Sequence, residues 1–207
     1  MPGQIFQAVI FDLYTALLDS WSLWNETAGT EESGRQWRKK YLELTYQAGR
    51  YRRYETIIAE SAQAVGLAEE QAMMLIENWG ALQPWPEARQ ILSEISSRIP
   101  IAVATNSSLA LAEIAVACVG VPFAAVATAE EAGYYKPQPQ PYRLALERLG
   151  CAAENVLFVA GSASDVPGAT NVGMTVYWHN RANLKLADQA THPQFIAESL
   201  QPLTELL

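Results

Sequence analysis

An aspartate at the end of a continuous apolar run is the first candidate for chemistry in this sequence. The run AVIF at 8–11 leads directly into Asp12, and apolar residues resume after it. A carboxylate at the end of a buried strand is costly unless a neighbour neutralises it or a reaction uses it. Asp12 is therefore either the cap of a turn or a nucleophile, and the rest of the chain must discriminate between the two.

Three further segments place polar side chains directly after apolar runs or before a helix. They are TNSS at 105–108, Lys136 before Pro137, and GSASD at 161–165. A lysine ~4 Å from Asp12 would favour the ionised carboxylate by about 4 kcal/mol at an effective dielectric constant of ~20. An ionised aspartate can attack a carbon that bears a leaving group and form an ester. The pattern is compatible with nucleophilic catalysis by Asp12.

Five apolar runs without polar alternation predict strands that are covered on both faces, as in a parallel sheet. These runs are 5–13, 99–104, 124–127, 156–160 and 175–178. Helices are predicted between them at 86–98, 108–119 and 141–149. The alternation predicts an α/β fold, a Rossmann-like doubly wound parallel sheet. Ligands of such sheets bind beyond the carboxyl ends of the strands, where the polar segments above are found.

One long segment interrupts this alternation. Residues 17–85 carry helical periodicity and no strand signal, and a connection of that length far exceeds an ordinary loop. We predict a helical cap subdomain at 17–85, inserted into a core domain formed by residues 1–16 and 86–207. The prolines of Pro84-Trp85-Pro86 restrict the backbone where the chain would return to the core.

Composition narrows the function classes. The 207 residues include 22 acidic and 14 basic side chains, a net charge of −8, which argues against non-specific nucleic-acid binding. No basic leader and no run of ~18 apolar residues is present, so no membrane association and a cytoplasmic location are expected. Cys118 and Cys151 stand apart from any CxxC or histidine cluster, which predicts neither a zinc site nor a disulfide framework.

The four polar segments, in this order and with this insert, resemble the four motifs of the haloacid dehalogenase superfamily. Metal-dependent phosphatases of that superfamily carry a second aspartate two residues after the nucleophile, and Tyr14 stands there instead. Tyr14 resembles the L-2-haloacid dehalogenase branch. The cap stretch 37–45, with Arg38, also resembles that branch, as does the spacing from Lys136 to Tyr142.

The resemblance implies a metal-independent hydrolase that displaces halide, or a similar leaving group, from carbon of a small carboxylic acid. It implies Asp12 as nucleophile, Lys136 as its counter-ion, and Asp165 to orient or deprotonate water. The branch's halide-binding role falls on Arg38, assisted by the amide of Asn106. Substrate binding is expected from Tyr14, Thr105, Asn106, Tyr142 and Ser162. No cofactor is expected, and a homodimer through the cap is possible for this branch.

Three departures from the dehalogenase pattern leave alternatives open. The first motif continues Tyr14-Thr15-Ala16 rather than Tyr-Gly-Thr, the last reads 160–165 AGSASD rather than Ser-Ser-Asn-x-x-Asp, and TNSS replaces Ser-Asn-Gly. Haloacids are therefore not the only substrates to consider. A magnesium-dependent phosphatase acting on a small metabolite is one alternative, although Gly161 stands where such enzymes carry a magnesium ligand. A catalytically silent binding protein is the other.

Overall fold

A computed structural model describes residues 6–186 and 191–207 of the chain. Its strands, in chain order, are Ala8–Phe11 (β1), Leu18–Asp19 (β2), Gln83–Pro84 (β3), Ile101–Thr105 (β4), Ala125–Thr128 (β5), Val156–Ala160 (β6), Thr175–His179 (β7) and Phe195–Ala197 (β8). Six of them form one parallel sheet in the order β5-β4-β1-β6-β7-β8. The carboxyl end of β1 therefore lies at the middle of the sheet, between those of β4 and β6.

The helices of the described residues connect these strands. In chain order they are Ser20–Ala28 (α1), Glu31–Ala48 (α2), Tyr54–Ala64 (α3), Glu69–Glu77 (α4), Ala88–Ser96 (α5), Leu109–Val119 (α6), Ala129–Ala132 (α7), Pro139–Leu149 (α8), Asp165–Val172 (α9) and Leu203–Leu206 (α10). Local sequence explains several ends: Ser108 caps α6 with its side chain, proline occupies the first turn of α8, and Gly120 and Gly150 end these helices with positive φ.

The sheet is buried on both faces because its strands are apolar throughout. Successive residues of a strand point to opposite faces, so Val9 and Phe11 join one core cluster while Ala8 and Ile10 join the other. The first cluster extends into α5, α6 and the α1–α4 region, whereas the second is covered by α8 and α9. The prediction of a doubly wound α/β sheet is confirmed.

Between β1 and α5 the chain forms four helices, α1 to α4, which pack in sequence on one another. The antiparallel pair β2–β3 lies at the base of this segment, where the chain leaves the core and returns to it. The buried side chain of Trp37 links α2 to α3, because its Nε1 donates a hydrogen bond to Ser61 Oγ at 2.9 Å. These helices agree with the expected helical insert, while the division of the chain at residues 16 and 86 stays a prediction.

The predicted strands differ from the observed ones at their ends. The run at 5–13 gives a strand only at Ala8–Phe11, because the chain turns after Asp12; Ile5 lies outside the described residues. β8 was not predicted, since a three-residue edge strand leaves no long apolar run. The pair β2–β3 was missed for the same reason: each strand has two residues, and their pairing is non-local.

In the part of the chain that the structure describes, every helix is too short or too polar to cross a lipid bilayer. The cytoplasmic location and the absence of nucleic-acid partners stay predictions from composition.

Candidate active site

Asp12 stands at the carboxyl end of β1, and a tight turn folds donors onto its side chain. Its backbone N–H donates to Val159 O at 2.9 Å, continuing the ladder between β1 and β6. Oδ2 accepts hydrogen bonds from Thr15 N at 2.9 Å, Thr15 Oγ1 at 2.5 Å and Ala16 N at 3.2 Å. With three donors on Oδ2, the other oxygen, Oδ1, is the less saturated of the two.

Lys136 joins the acidic residues of the site. Its Nζ donates to Asp12 Oδ1 at 2.9 Å and to Asp165 Oδ2 at 3.1 Å, and only 3% of its side chain is exposed. Asn106 fixes the lysine backbone from the end of β4, because its Oδ1 accepts from Lys136 N at 2.6 Å and its Nδ2 donates to Lys136 O at 3.1 Å. Two carboxylates thus share one buried ammonium.

The charges of Asp12, Lys136 and Asp165 together favour the ionised form of Asp12. Burial alone would raise the pKa of Asp12, but the charge of Lys136 and the hydrogen bonds from Thr15 lower that pKa overall. Burial likewise opposes the charge on Lys136, yet the two carboxylates raise its pKa. The pKa of Asp165 is raised by burial and by the Asp12 charge, against the pull of Lys136. Asp12 is therefore the stronger acid, and Asp165 the stronger base.

Asp165 opens α9 and has a second partner on its other oxygen. Tyr142 OH donates to Asp165 Oδ1 at 2.7 Å from the first turns of α8. Gly168 leaves room for this tyrosine, because a Cβ there would overlap the Tyr142 hydroxyl. Tyr142 is thus a positioning residue for Asp165: its ring is fully buried and packs on Phe158 in the core.

Arg38 approaches from α2 and is a buried cation without a carboxylate partner among the described residues. It is 5% exposed, its Nη1 donates to Ser20 Oγ at 2.7 Å, and its guanidinium lies 3.9 Å from the ring centroid of Trp21. Its Nε is buried without a hydrogen-bond partner. Among the ion pairs of residues 6–186 and 191–207, none involves Arg38. A buried guanidinium without a counter-ion is a site for an anion.

A cavity of about 100 Å³ lies between the sheet and the helices α1 and α2. Asp12, Arg38, Lys136 and Asp165 all line it. Its remaining walls are mostly aromatic or hydroxyl-bearing and comprise Tyr14, Thr15, Ser20, Trp21, Trp24, Tyr41, Leu42, Tyr46, Tyr54, Trp79, Asn106, Ser162, Ser164 and Leu184. Burial raises the pKa values of Tyr14 and Tyr41, so both phenols are neutral near pH 7. The space holds one small organic molecule.

Most of the residues expected from sequence meet at this cavity, but two do not reach it. Tyr14, Asn106 and Ser162 line the cavity together with the four charged residues. Thr105 is fully buried at the end of β4 and is not among the lining residues, so its contact with the substrate carboxylate stays a prediction. Tyr142 donates to Asp165 and is likewise not among the lining residues, so its substrate contact also stays a prediction.

The sequence analysis did not predict several residues that line the cavity. The helical spacing of α2 would have identified some of them. Leu42, Tyr41 and Tyr46 follow Arg38 on one face of α2 at the spacing of three and four residues that a helix imposes. Reading that face from Arg38 gives three further wall residues. No comparable signal indicates Trp79 or Ser164, which tertiary packing alone brings to the cavity.

The turn around Asp12 leaves no place for a magnesium ligand at position 161. Gly161 lies against the turn so closely that a Cβ there would overlap Ala16 N and Thr15 Oγ1. Position 14 carries a tyrosine, and both oxygens of Asp12 are engaged by protein donors. Magnesium requires several oxygen ligands in near-octahedral order. The donor set present does not fit that ion.

Gly161→Ala is expected to destabilise the protein, because the added methyl group meets the backbone of the 12–16 turn rather than a flexible side chain. Overpacking of this kind costs about 1–3 kcal/mol. Thermal unfolding should give a Tm several degrees lower than that of the wild type. Gly80→Ala is the control for loss of a glycine, since Gly80 has no positive φ and a Cβ there would meet only Ile114 Cγ2 at 3.8 Å, an ordinary van der Waals contact. An unchanged Tm for Gly161→Ala would contradict the tight approach.

Comparison with known proteins places the chain in a family. The sequence model of the haloacid dehalogenase-like hydrolase family matches residues 6–173 of this chain. Haloacetate dehalogenase H-2 of Moraxella sp. (strain B) is 28% identical over 97% of both chains. The (S)-2-haloacid dehalogenase of Xanthobacter autotrophicus is 28% identical over 97% of this chain and 83% of its own.

The three-dimensional comparison agrees. The structure of L-2-haloacid dehalogenase from Xanthobacter autotrophicus with chloropropionic acid covalently bound superposes with a TM-score of 0.83, at 25% identity and 98% coverage of both chains. The order of the motifs, the shared fold and the family match over most of the chain lead to one conclusion. This protein is a hydrolase that belongs to the haloacid dehalogenase-like family.

Proposed function

We propose that this hydrolase displaces a leaving group, halide or similar, from carbon 2 of a small carboxylic acid through an ester on Asp12. The observation that carries the proposal is one cavity lined by an ionised aspartate and by a buried arginine that forms no ion pair within the described part of the chain. The first group supplies a nucleophile and the second a place for the departing anion. The relatives act on haloacetate and on (S)-2-haloacids, as their names state.

In the first step, Asp12 Oδ1 attacks the carbon that bears the leaving group. The new bond is C–O, the broken bond is C–X, and X leaves with the bonding electron pair as an anion. The donors on Oδ2 leave Oδ1 as the freer oxygen for the attack. Arg38 receives the anion, and its charge lowers the barrier because negative charge builds on X as the bond lengthens.

In the second step, water attacks Cγ of the Asp12 ester. Asp165 accepts the proton, and its raised pKa suits that role. Negative charge then develops on the carbonyl oxygen, which we assign to Oδ2. Thr15 N and Ala16 N already point at that atom and act as an oxyanion hole. Collapse of the intermediate breaks the bond between Cγ and Oδ1, and the departing alkoxide takes the proton from Asp165 and leaves as the 2-hydroxy acid. The Asp12 carboxyl group then loses the remaining water proton to solvent and becomes a carboxylate again.

The cavity sets limits on the substrate. A volume of about 100 Å³ holds only a few heavy atoms, as in a two- or three-carbon acid. Its core-side wall presents Asn106 and Ser162, which are the lining polar groups that we assign to the substrate carboxylate. Aromatic rings from α1 and α2 exclude water around the reacting carbon, which strengthens the charge interactions there.

We further propose that residues 17–85 act as a cap over residues 1–16 and 86–207. Arg38 comes from α2 and Asp12 from β1, so the two proposed chemical roles lie on opposite sides of the cavity. A homodimer through the cap remains part of this proposal and is tested by the oligomeric state in solution.

A metal-free substrate screen tests the proposed function. Halide release from chloroacetate, fluoroacetate and (S)-2-chloropropionate is measured after exhaustive dialysis against EDTA, together with turnover of small cyclic amino acids. We expect turnover of at least one of these compounds, with the rate unchanged when Mg²⁺ is added back. Phosphate release from sugar phosphates that depends on Mg²⁺ would instead establish the phosphatase. No turnover of any kind would favour a binding protein.

Arg38→Ala is expected to reduce kcat by about 10²–10³-fold, because the departing anion loses its charged donor. The loss should be smaller for bromide than for chloride, since bromide is the better leaving group and depends less on stabilisation. Steady-state kinetics with paired chloro and bromo acids measures both effects.

Arg35→Ala is the matched control for that variant. Arg35 lies one turn earlier on α2, is exposed, and pairs with Glu31 at 2.7 Å. Surface pairs of this kind contribute about 0–1 kcal/mol to stability, so its kinetics should match the wild type. An equal loss in both variants would remove the special role of Arg38.

A further inference from the structure

A second, larger space adjoins the active-site cavity on its outer side. This outer chamber has a volume of about 440 Å³. Apolar side chains form most of its walls, and the lining residues are Leu42, Tyr46, Pro137, Ser162, Ala163, Ser164, Pro167, Leu184, Lys185 and Leu186. The only charged group among them is Lys185, which is exposed.

The outer chamber and the active-site cavity share one wall. Five residues line both spaces: Leu42, Tyr46, Ser162, Ser164 and Leu184. Tyr46, on α2, hydrogen-bonds to Ser164 at the start of α9, and Ser164 Oγ lies 3.1 Å from Ser162 Oγ. The shared wall thus includes the hydrogen-bonded side chains of Tyr46, Ser162 and Ser164.

We propose that the outer chamber is a subsite for the hydrocarbon chain of the substrate, so that the enzyme takes 2-substituted acids longer than propionate. The proposal rests on the function proposed above and specifies its substrate class. Carbon 2 and the carboxylate stay in the inner cavity, beside Asp12 and Arg38. The chain passes the Tyr46–Ser164 pair and lies against Leu42, Ala163 and Leu186.

Continuity and chemistry both favour a hydrocarbon chain as the occupant. The inner cavity is too small for a long acid, while the adjoining space is four times larger and mainly apolar. Placing an apolar chain in such a space removes apolar surface from water. Each buried CH₂ favours binding by about fourfold. The wild-type enzyme should therefore prefer longer acids, up to the length that fills the chamber.

The test compares 2-bromopropionate, 2-bromohexanoate and 2-bromooctanoate in wild type and in two variants that alter the chamber. Ala163→Leu fills it from the core side, and Leu186→Ala removes a wall contact. Neither residue lines the inner cavity. Asn171→Leu is the matched control, because it adds the same kind of bulk at an exposed site farther along α9.

We expect wild-type kcat/KM to be at least tenfold higher for 2-bromohexanoate than for 2-bromopropionate. Ala163→Leu should remove that difference while changing the value for 2-bromopropionate less than twofold. Leu186→Ala should reduce the preference about threefold, and Asn171→Leu should keep it. Equal losses for short and long acids in Ala163→Leu, or no chain-length preference in wild type, would overturn the proposal.

A binding experiment distinguishes failure of this proposal from failure of the proposed function. If no 2-bromo acid releases bromide, the dehalogenase function fails, and calorimetry with unreactive hexanoate and propionate then decides the role of the chamber. Tighter binding of hexanoate than propionate in wild type, lost in Ala163→Leu, supports the subsite. Equal affinities for the two acids, or undetectable binding of both, refute it.

Discussion

Asp12→Asn should abolish turnover, with kcat at least about 10⁴-fold below that of the wild type. An amide is a poor nucleophile and carries no charge for Lys136 to pair with. The turn should survive the change, because the amide oxygen can still accept from Thr15 N and Ala16 N. Halide release under single-turnover conditions, with enzyme in excess over substrate, is the measurement.

Asp19→Asn is the matched control for this variant. Asp19 precedes α1 and caps it by accepting from Ser22 N at 3.2 Å, a role that asparagine fills equally well. Its side chain does not line the active-site cavity. Activity within a factor of two is expected. Turnover by Asp12→Asn at a wild-type rate would exclude the ester mechanism.

Isotope labelling adds a readout that distinguishes a nucleophile from a merely structural aspartate. In H₂¹⁸O, water attacks Cγ of the ester, so the first turnover places the label in Asp12 and leaves the product unlabelled. Mass spectrometry of the peptide that contains Asp12 detects this transfer. Label in the product after one turnover, with none in the peptide, would mean that water attacks the substrate directly.

Lys136→Met is expected to be the most destabilising single change at the site. It leaves two carboxylates, on Asp12 and Asp165, buried without a cation. Removing one partner of a buried ion pair costs about 3–5 kcal/mol. Chemical denaturation at pH 7 measures the loss of unfolding free energy. Lys185→Met, at an exposed residue, serves as the control for loss of a lysine and should change little.

The contribution of Asp12 to the pH dependence of stability should change sign in this variant. In the wild type, the lowered pKa of Asp12 gives stability that is present above about pH 4 and is lost as pH falls through the folded value. The raised pKa of Lys136 gives stability that is present below about pH 10 and is lost as pH rises. Wild-type stability from this pair is therefore greatest between these limits.

Without the ammonium, burial dominates both carboxyl groups and holds their pKa values above those of the unfolded chain. Lys136→Met should then be relatively most stable below about pH 4, where both groups are protonated, and lose stability as pH rises. Adding Asp165→Asn to Lys136→Met removes one of the two charges and should restore part of the stability at pH 7. A Lys136→Met variant whose stability rises with pH between about pH 4 and pH 7 would contradict the shared-cation arrangement.

The sequence alone predicted the sheet and most of the charged site. Uninterrupted apolar runs determine buried parallel strands, and parallel strands bring their carboxyl ends together whatever the details of packing. This physical rule is sufficient to place Asp12 near the segments that carry Asn106 and Asp165, whereas Lys136, which lies beyond the end of β5, was expected only from the family resemblance. The helical periodicity of α2 also put Arg38 within the insert, although it did not define the arginine's neighbours.

What the sequence could not predict depends on contacts between distant segments. Thr15 resembles the expected threonine only loosely, and its role became clear from two hydrogen bonds to Asp12. Thr105 was expected to bind the substrate, yet it is fully buried and not among the lining residues, and burial at the end of β4 depends on the packing of neighbouring segments. The two-residue strands β2 and β3 are too short to leave any local signal.

The sequence by itself determines which kinds of residue stand at the strand ends and in which order. The local hydrophobic pattern defines the strands, and the chain direction defines their ends. Which side chains face the cavity belongs to the tertiary structure. The distance between Lys136 and its two carboxylates, the unpaired state of Arg38 and the wall shared with the outer chamber all join segments far apart in the chain. Such contacts depend on how whole elements pack, and no local pattern specifies them.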